Sequence, residues 1–327
     1  MPKKTKVLAT NFFEGQLVGE SKAIQDIRRV ILQMSEVDIP VLISGESGVG
    51  KELVARLIHY HGNRANYPFV TINIGAIPNQ LAVAELFGFT KGAFTNAYKD
   101  RGGRLEIANK GSMVIDGLEN APPEVQRGLT RFLDTSKVYR IGDPEGKKIN
   151  VRLIATTIYQ YIDLVRSGKV IVDLVSRFAN NVIYIPPLRE RKQDIPVLVE
   201  QFLTKIRNEQ GIALASELSS NAMQALQAYD YPGNVRELYS ILERAAVIAQ
   251  GDIITRDDLG RLDEVLKADD SAVLRSELES TRKELDHLQH TTISADPIWE
   301  GRSFPTEDDY CFVLMPFAEF KDMQKVY

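Results

Sequence analysis

The sequence predicts an α/β fold in which helices flank a parallel sheet, followed by a smaller all-helical domain. In the first part of the chain, short apolar runs rich in β-branched residues alternate with stretches of helical spacing, which is typical of βαβ units. The runs lack a regular alternation of apolar and polar residues, as expected of parallel strands covered on both faces. After a proline-bounded break at 186–196, the following periodic segments all have helical spacing.

Five apolar runs are the predicted strands of the sheet, and the helical stretches lie between or after them. The strands are VLIS (41–44), FVTINI (69–74), MVID (113–116), VRLIATT (151–157) and NVIYI (181–185). The helical stretches include KELVARLIHYH (51–61) and PPEVQRGLTRFL (122–133) in the α/β part, then 195–210, 219–230 and 233–251 after the break.

The composition excludes several classes of protein. The chain of 327 residues is 44% hydrophobic and 26% charged, which is ordinary for a soluble globular protein of one or two domains. Its net charge of −4 gives no whole-chain sign of nucleic-acid binding. The single cysteine, Cys311, excludes an internal disulfide, and no run of about 18 apolar residues indicates a membrane span. We therefore expect a cytoplasmic protein.

The clearest chemical motif directly follows the first predicted strand. The segment GESGVGKE fits the pattern G-x-x-x-x-G-K, except that Glu52 stands where Ser or Thr is usual. Its glycines let backbone N–H groups approach phosphates, and the N-terminus of the following helix attracts the same anions. Lys51 is expected to reach the β- and γ-phosphates of a nucleotide. The residues predicted to bind ATP here are Gly45, Glu46, Ser47, Gly48, Val49, Gly50, Lys51 and Glu52.

A second signal for nucleotide chemistry lies at the end of the third strand. The run MVID ends in Asp116, and an apolar strand that delivers a carboxylate to its end commonly holds Mg²⁺ beside a nucleotide. In many ATPases a second acid follows and acts on the attacking water, but here the next residue is Gly117. Glu119 would lie about 6–7 Å further along an extended strand, or could fold back after the strand ends. The sequence therefore predicts binding of Mg²⁺ and ATP and leaves hydrolysis open.

Four motifs in register resemble one family, the AAA+ domain of bacterial enhancer-binding proteins, which activate sigma-54 RNA polymerase. The motifs are GESGVGKE, ELFGFTKGAFTNA (85–97), IPPLRER (185–191) and YPGNVREL (231–238). The resemblance runs from about residue 17 to residue 262. It implies an AAA+ P-loop NTPase fold with a helical lid, assembled as a ring, often a hexamer, with ATP between subunits. Family members use ATP hydrolysis to remodel the sigma-54 holoenzyme.

The resemblance also implies roles for single residues. Lys51 and Asp116 occupy the positions of the Walker A lysine and the Walker B aspartate. Asn73 stands where the family has an asparagine that restrains the catalytic glutamate. Arg177 falls at the second arginine-finger position. Arg236 falls at the sensor II position of the lid, where the family places a contact with the γ-phosphate.

Four departures from the family fall on functional positions. Gly117 replaces the Walker B glutamate, Ile158 the sensor I asparagine, Ile171 the first arginine finger, and Asn96 the second glycine of the loop that touches sigma-54, here Gly92–Ala97. A positioned general base is worth about 10²–10⁴ in rate, and an arginine finger about 10³–10⁵. The phosphate cradle and the aspartate remain, so we predict ATP binding with weak or absent hydrolysis.

Five segments follow from these patterns. The leucines between 271 and 290 form a seam of only about two heptads, so a connecting helix and a short coiled coil remain alternatives there. A strand begins near Cys311 without the partner strands that it needs, and we expect the chain to end inside that domain. The predicted segments are an N-terminal tail (1–16), the AAA+ α/β nucleotide-binding domain (17–186), the helical lid domain (187–262), the connecting helix (263–292), and a linker with the start of a truncated α/β domain (293–327).

Two functions stay open at this point. The first is a transcription regulator of the sigma-54 activator type, which the extent of the resemblance favours. The second is a scaffold that oligomerises on ATP and serves another output domain, which the four departures favour. The run CFVLMPFAEF (311–320) resembles the opening of TIR-like or nucleoside-deoxyribosyltransferase-like domains, and no convincing helix-turn-helix follows the lid.

Overall fold

The structure, a computed structural model, describes residues 17–95, 97–210, 217–249, 251–260 and 262. The predicted tail (1–16), connecting helix (263–292) and last segment (293–327) lie outside the described residues, as does Asn96. Among the described residues, no helix is long and apolar enough to cross a bilayer.

The secondary structure alternates in the α/β part as the sequence predicts. The strands are β1 (Val41–Ser44), β2 (Phe69–Asn73), β3 (Gly88–Phe89), β4 (Arg101–Gly102), β5 (Ser112–Asp116), β6 (Lys137–Val138), β7 (Lys147–Lys148), β8 (Arg152–Thr157), β9 (Val182–Tyr184), β10 (Glu217–Leu218) and β11 (Ile253–Ile254). The α-helices are α1 (Lys22–Ser35), α2 (Lys51–Tyr60), α3 (Asn79–Phe87), α4 (Arg104–Ile107), α5 (Pro123–Thr135), α6 (Tyr161–Ser167), α7 (Val172–Ser176), α8 (Ile195–Gln210), α9 (Ser220–Ala228) and α10 (Asn234–Ile248). Single 3₁₀ turns cover Ile74–Ala76, Leu118–Asn120, Leu188–Glu190 and Lys192–Asp194.

The central sheet has five strands in the order β2-β5-β8-β1-β9, and all of its pairs are parallel. These are the five strands that the sequence predicts, each within a residue of the expected bounds. The register sets Asn73 beside Asp116 and Ser44 beside Thr157, so the carboxyl ends of the strands share one edge. The chain order reverses around β1, and in open α/β sheets ligands bind at such a point.

Two apolar cores cover the two faces of this sheet. Successive side chains of a strand point to opposite faces, so Met113 and Ile115 enter one core, whereas Val114 between them enters the other. The second core also takes the buried faces of α1 and α2. Burial on both sides explains why the strands read as continuous apolar runs. The parallel α/β fold predicted from the sequence is confirmed.

The segments after the break pack around a third apolar core. It joins Leu188 to the buried faces of α8, α9 and α10, with Tyr231 fully buried among them. The sequence analysis predicted only helices here, but β10 and β11 also form a short parallel pair. Each of these strands has two residues, and a segment this short shows no periodic pattern from which a strand could be predicted.

Candidate functional site

A cleft of about 510 Å³ lies at the carboxyl edge of the sheet, beneath the helices that follow the break. Its walls come from the loop after β1, from the ends of β2, β5 and β8, and from α8 and α10. The volume falls in the range of small-molecule sites. The predicted site residues that line it are Ser47, Gly48, Gly50, Lys51, Glu52, Asn73, Asp116 and Arg236.

Three residues of the predicted phosphate loop do not line the cleft. Val49 is buried in the core between the sheet and α1. The carbonyl oxygen of Gly45 faces Lys51 and accepts a hydrogen bond from its ammonium at 2.7 Å. Glu46 points to an arginine outside the loop, Arg189. These three residues therefore shape the loop and do not present side chains to a ligand.

Gly48 shows why the loop needs a residue without a side chain. Its φ of 79° lies in the left-handed region, and a Cβ added there would come within 2.1 Å of the carbonyl oxygen of Gly233. Gly233 directly precedes α10. The absence of a Cβ therefore lets the loop turn and also lets the start of α10 close over it.

Lys51 opens α2 and carries the positive charge at the base of the cleft. Its ammonium donates hydrogen bonds to the carbonyl oxygens of Gly45 at 2.7 Å and Glu46 at 2.9 Å. Burial lowers the pKa of Lys51, while the charges of Asp116 and Glu119 partly offset that effect. The ammonium of Lys51 and the N-terminus of α2 are the groups here that attract an anion such as a phosphate, while the two carboxylates stabilise the charged form of the amine.

Asp116 ends β5 and is held in place by its neighbour on the sheet. Its Oδ1 accepts a hydrogen bond from the hydroxyl of Thr156 at 2.6 Å. On the next strand, Asn73 uses its Oδ1 to accept from the backbone N–H of Ala76 at 3.2 Å. One fixed carboxylate beside a phosphate cradle fits Mg²⁺, which is bound in proteins through one or two carboxylates together with substrate phosphates. The described residues contain no group of three or more metal-binding side chains.

The chain turns sharply at Gly117. Its φ of 75° and ψ of 54° are left-handed, and the 3₁₀ turn Leu118–Asn120 follows at once. This turn brings Glu119 back to the cleft, so the structure shows the second of the two placements that the sequence left open. Glu119 Oε1 accepts a hydrogen bond from the backbone N–H of Ile158 at 3.3 Å. Glu119 Oε2 is buried without a hydrogen-bond partner among the described residues.

The two isoleucines at family positions are placed differently. Ile158 lines the cleft and is 51% exposed, so an apolar side chain faces the place where the family has an amide. Ile171 caps α7 and packs against the core of the α/β part. Neither side chain can donate a hydrogen bond to a phosphate or orient a water molecule.

The structure does not bring Arg177 to the cleft of its own chain. Arg177 ends α7 and forms an ion pair with Asp134 of α5 at 2.8 Å. Both side chains are about half exposed. Arg177 is therefore not among the residues that line the cleft of its own chain.

The helical part contacts the phosphate loop through Arg236, which the sequence analysis selected, and through Asn234, which it did not. Asn234 is fully buried, donates from Nδ2 to the carbonyl oxygen of Ser47 at 2.9 Å and accepts at Oδ1 from the N–H of Leu188 at 2.8 Å. Arg236 donates to the hydroxyl of Ser47 at 3.2 Å. Asn234 lies in YPGNVREL. A polar residue between a glycine and the start of a helix is the sequence signal by which it could have been found.

An ion pair ties the loop to the break between the two parts. Arg189 donates to Glu46 Oε2 at 2.8 Å, and Asn234 donates to the same oxygen at 3.1 Å. The hydrogen bond from Arg189 is the main reason that the pKa of Glu46 lies below its usual value. Glu46 therefore connects the loop to the lid side without reaching into the cleft.

Comparison with known proteins identifies the family. A family profile described as "Sigma-54 interaction domain" matches residues 17–184. This chain belongs to the sigma-54 interaction domain family. A second profile, "AAA+ ATPase lid domain", matches residues 189–273, so the resemblance stated from the sequence is confirmed.

Curated relatives of this sigma-54 interaction domain are bacterial regulators. The chain is 36% identical over 280 residues to the response regulator protein PilR of Pseudomonas aeruginosa, a match that covers 86% of this chain and 63% of PilR. It is 40% identical over 266 residues to the DNA-binding transcriptional regulator NtrC of Escherichia coli, covering 81% of this chain and 56% of NtrC. The match thus spans between 56% and 63% of these relatives' lengths.

Solved structures of NtrX from Brucella abortus share the fold. The structure in complex with ATP has a TM-score of 0.70 at 30% identity and covers 85% of this chain and 63% of NtrX. The structure in complex with ADP has a TM-score of 0.67 at 32% identity, covering 78% of this chain and 59% of NtrX. The AAA+ fold of this sigma-54 interaction domain is therefore established.

Proposed function

We propose that this chain is a Mg²⁺- and ATP-binding AAA+ module of the sigma-54 activator type, with weak or lost hydrolysis, that assembles into a ring. The observation that carries the proposal is the cleft in which Lys51, Asp116 and Arg236 meet. A similar protein, NtrX, has been solved with ATP and with ADP. A protein of this kind acts in the cytoplasm, where bacterial RNA polymerase works.

ATP binding is supported by the distribution of charge in the cleft. Lys51 and Arg236 supply positive charge from the sheet side and from the lid side. The glycine loop leaves its backbone N–H groups free of side-chain obstruction. Asp116, fixed by Thr156, is the residue that would hold Mg²⁺ between itself and the phosphates.

Weak hydrolysis is supported by the groups that face the expected position of the γ-phosphate. Gly117 offers no carboxylate, and Ile158 presents a hydrocarbon surface to the cleft. Away from the cleft, Ile171 packs against the core where the family has an arginine finger. A general base alone is worth about 10²–10⁴ in rate. Binding depends on other residues, so we expect affinity to persist where turnover falls.

Ring assembly and contact with sigma-54 complete the proposal. Arg177 lies outside its own cleft, and in this proposal it acts on the nucleotide of a neighbouring subunit. The loop Gly92–Ala97 is closed by a hydrogen bond from the N–H of Gly92 to the carbonyl oxygen of Ala97 at 2.8 Å. Phe94 within it is 45% exposed, which suits a contact with sigma-54 RNA polymerase.

Titration of the purified chain with ATP, with and without Mg²⁺, tests nucleotide binding. Lys51→Ala should bind ATP about 10- to 100-fold more weakly, since hydrogen bonds to charged groups contribute about 1.5–3 kcal/mol. Lys22→Ala removes an exposed lysine outside the cleft and should bind as the natural chain does. Equal affinities for both variants would contradict the assignment of the cleft, and turnover above about 1 s⁻¹ would contradict weak hydrolysis.

A second candidate function is a scaffold for an effector domain beginning near residue 311. The departures at Gly117, Ile158 and Ile171 favour it, since a scaffold needs ATP as a signal and not as fuel. Complex formation with sigma-54 in the presence of an ATP transition-state analogue separates the two candidates. A complex supports the activator, and its absence supports the scaffold.

A further inference from the structure

One carboxylate in the cleft has no role in the binding site described above. Glu119 lines the cleft with Lys51 and Asp116. Its Oε2 is buried and has no hydrogen-bond partner among the described residues. A buried acceptor without a hydrogen-bond partner is unfavourable, so this carboxylate calls for an explanation.

The local fold fixes Glu119 in this place. Gly117 reverses the chain direction with its left-handed φ of 75°. Leu118, fully buried, anchors the turn in the core. The N–H of Ile158 then donates to Oε1 at 3.3 Å, and Oε2 is left without a partner among the described residues. The carboxylate is thus held at the cleft by one of its two oxygens.

A residue with a side chain is strained at position 117. A Cβ built on Gly117 would lie 2.9 Å from Nδ2 of Asn120, in a backbone conformation that L residues rarely adopt. The family's acid directly follows the Walker B aspartate, whereas here glycine follows and glutamate comes two residues later. The turn at Gly117 brings this later glutamate to the cleft.

We propose that Glu119 is the displaced general base of this chain. The proposal rests on the proposed function, since it requires ATP in the cleft. The carboxylate of Glu119 accepts a proton from the water whose oxygen forms a bond to the γ-phosphorus. The bond from that phosphorus to the bridging oxygen breaks, its electron pair stays on ADP, and the proton leaves with phosphate to solvent.

Glu119 acts without the help that the family has at two other positions. Ile158 contributes its backbone N–H to Glu119 but no side-chain hydrogen bond, and Ile171 provides no finger. Hydrolysis is therefore slow, and what remains of it depends on Glu119. A single water-orienting base of this kind is worth about 10²–10⁴ in rate.

Single-turnover cleavage, with protein in excess over ATP, tests this assignment. Glu119→Gln keeps the shape of the side chain and should cleave ATP at least about 10²-fold more slowly, with ATP affinity unchanged or tighter because a negative charge is removed. Glu124→Gln, an exposed acid on α5, should match the natural chain. Nucleotide recovered from the protein after gel filtration should be ATP for Glu119→Gln and ADP for the natural chain.

The outcomes separate this inference from the proposed function. Unchanged cleavage by Glu119→Gln with ATP still bound overturns the inference alone, and so does a natural chain that binds ATP and never cleaves it. A natural chain that binds no ATP overturns both. If Glu119→Gln loses ATP binding, Glu119→Asp is measured in its place. A fall in the cleavage rate that is larger than the fall in ATP affinity supports the assignment. Equal losses of rate and affinity contradict it.

Discussion

At the scale of single residues, the cleft depends on where the chain can place a carboxylate after β5. Asp116 continues the strand and is fixed by Thr156. The following residue adopts a conformation in which glycine is nearly free and other residues are strained. The sign of one φ angle therefore decides that the second carboxylate arrives from Glu119 and not from residue 117.

Restoring the family's glutamate at residue 117 should not restore hydrolysis. We expect Gly117→Glu to lower the free energy of unfolding by about 1–3 kcal/mol because of its left-handed backbone and the contact with Asn120, with no gain in turnover. Gly168→Glu is a matched control, since Gly168 has a φ of 64° and nothing within 4 Å of its Cβ position. Denaturant titration and steady-state turnover measure the two effects. A turnover near the typical value of about 10 s⁻¹ in Gly117→Glu would contradict this prediction.

At the scale of elements, the start of α10 acts as the joint between the lid side and the phosphate loop. Asn234 has a φ of 55°, a conformation that Asn and Asp tolerate better than other residues with side chains. From there its amide reaches Leu188, Ser47 and Glu46. Because the same side chain holds both parts, the loop and the lid cannot shift independently.

Replacing the amide of Asn234 by a carboxylate tests this joint. Asn234→Asp keeps the side-chain shape and the tolerated backbone, but its new oxygen faces the acceptors on Ser47 and Glu46. We expect a loss of about 1–3 kcal/mol in the free energy of unfolding, the cost of unpaired buried polar groups, together with weaker ATP binding. Thermal unfolding and ATP titration measure these, with the exposed Asn63→Asp as control. If Asn234→Asp is as stable as the natural chain, the Nδ2 hydrogen bonds of Asn234 do not hold the loop and the lid together.

The same elements show what a sequence reveals and what it does not. The five sheet strands were predictable because burial on both faces leaves continuous apolar runs. The pair β10 and β11 was not, since two residues carry no period. Lys51 and Asp116 could be selected from the sequence because Lys51 begins the helix after a predicted strand and Asp116 ends another predicted strand. The place of Glu119 depended on one backbone angle at Gly117, and the roles of Asn234 depended on contacts between distant segments, neither of which a local pattern encodes.

At the scale of the whole molecule, the residues that the proposed function needs do not all lie at the cleft of one chain. The cleft holds Lys51, Asp116, Glu119 and Arg236, but Arg177 lies on another surface, paired with Asp134. In a ring, that arginine would enter the cleft of the neighbouring subunit, as the family resemblance implies. To do so it must first leave Asp134, so the ion pair opposes assembly by a small amount.

Changing either member of this pair should therefore shift ATP-dependent assembly in opposite directions. Asp134→Asn should strengthen assembly by a few-fold, because Arg177 then has no ion pair to break before it enters the neighbouring cleft. An exposed ion pair is worth about 0.2–1 kcal/mol. Arg177→Ala should remove the effect of ATP on assembly while leaving ATP affinity of the isolated chain unchanged. Sedimentation velocity over a concentration series, with and without ATP, measures both variants. Arg127→Ala, an exposed arginine of α5 paired with Glu124, is the control for loss of surface charge. If Arg177→Ala assembles with ATP as the natural chain does, Arg177 is only a surface ion pair and the ring must close through other residues.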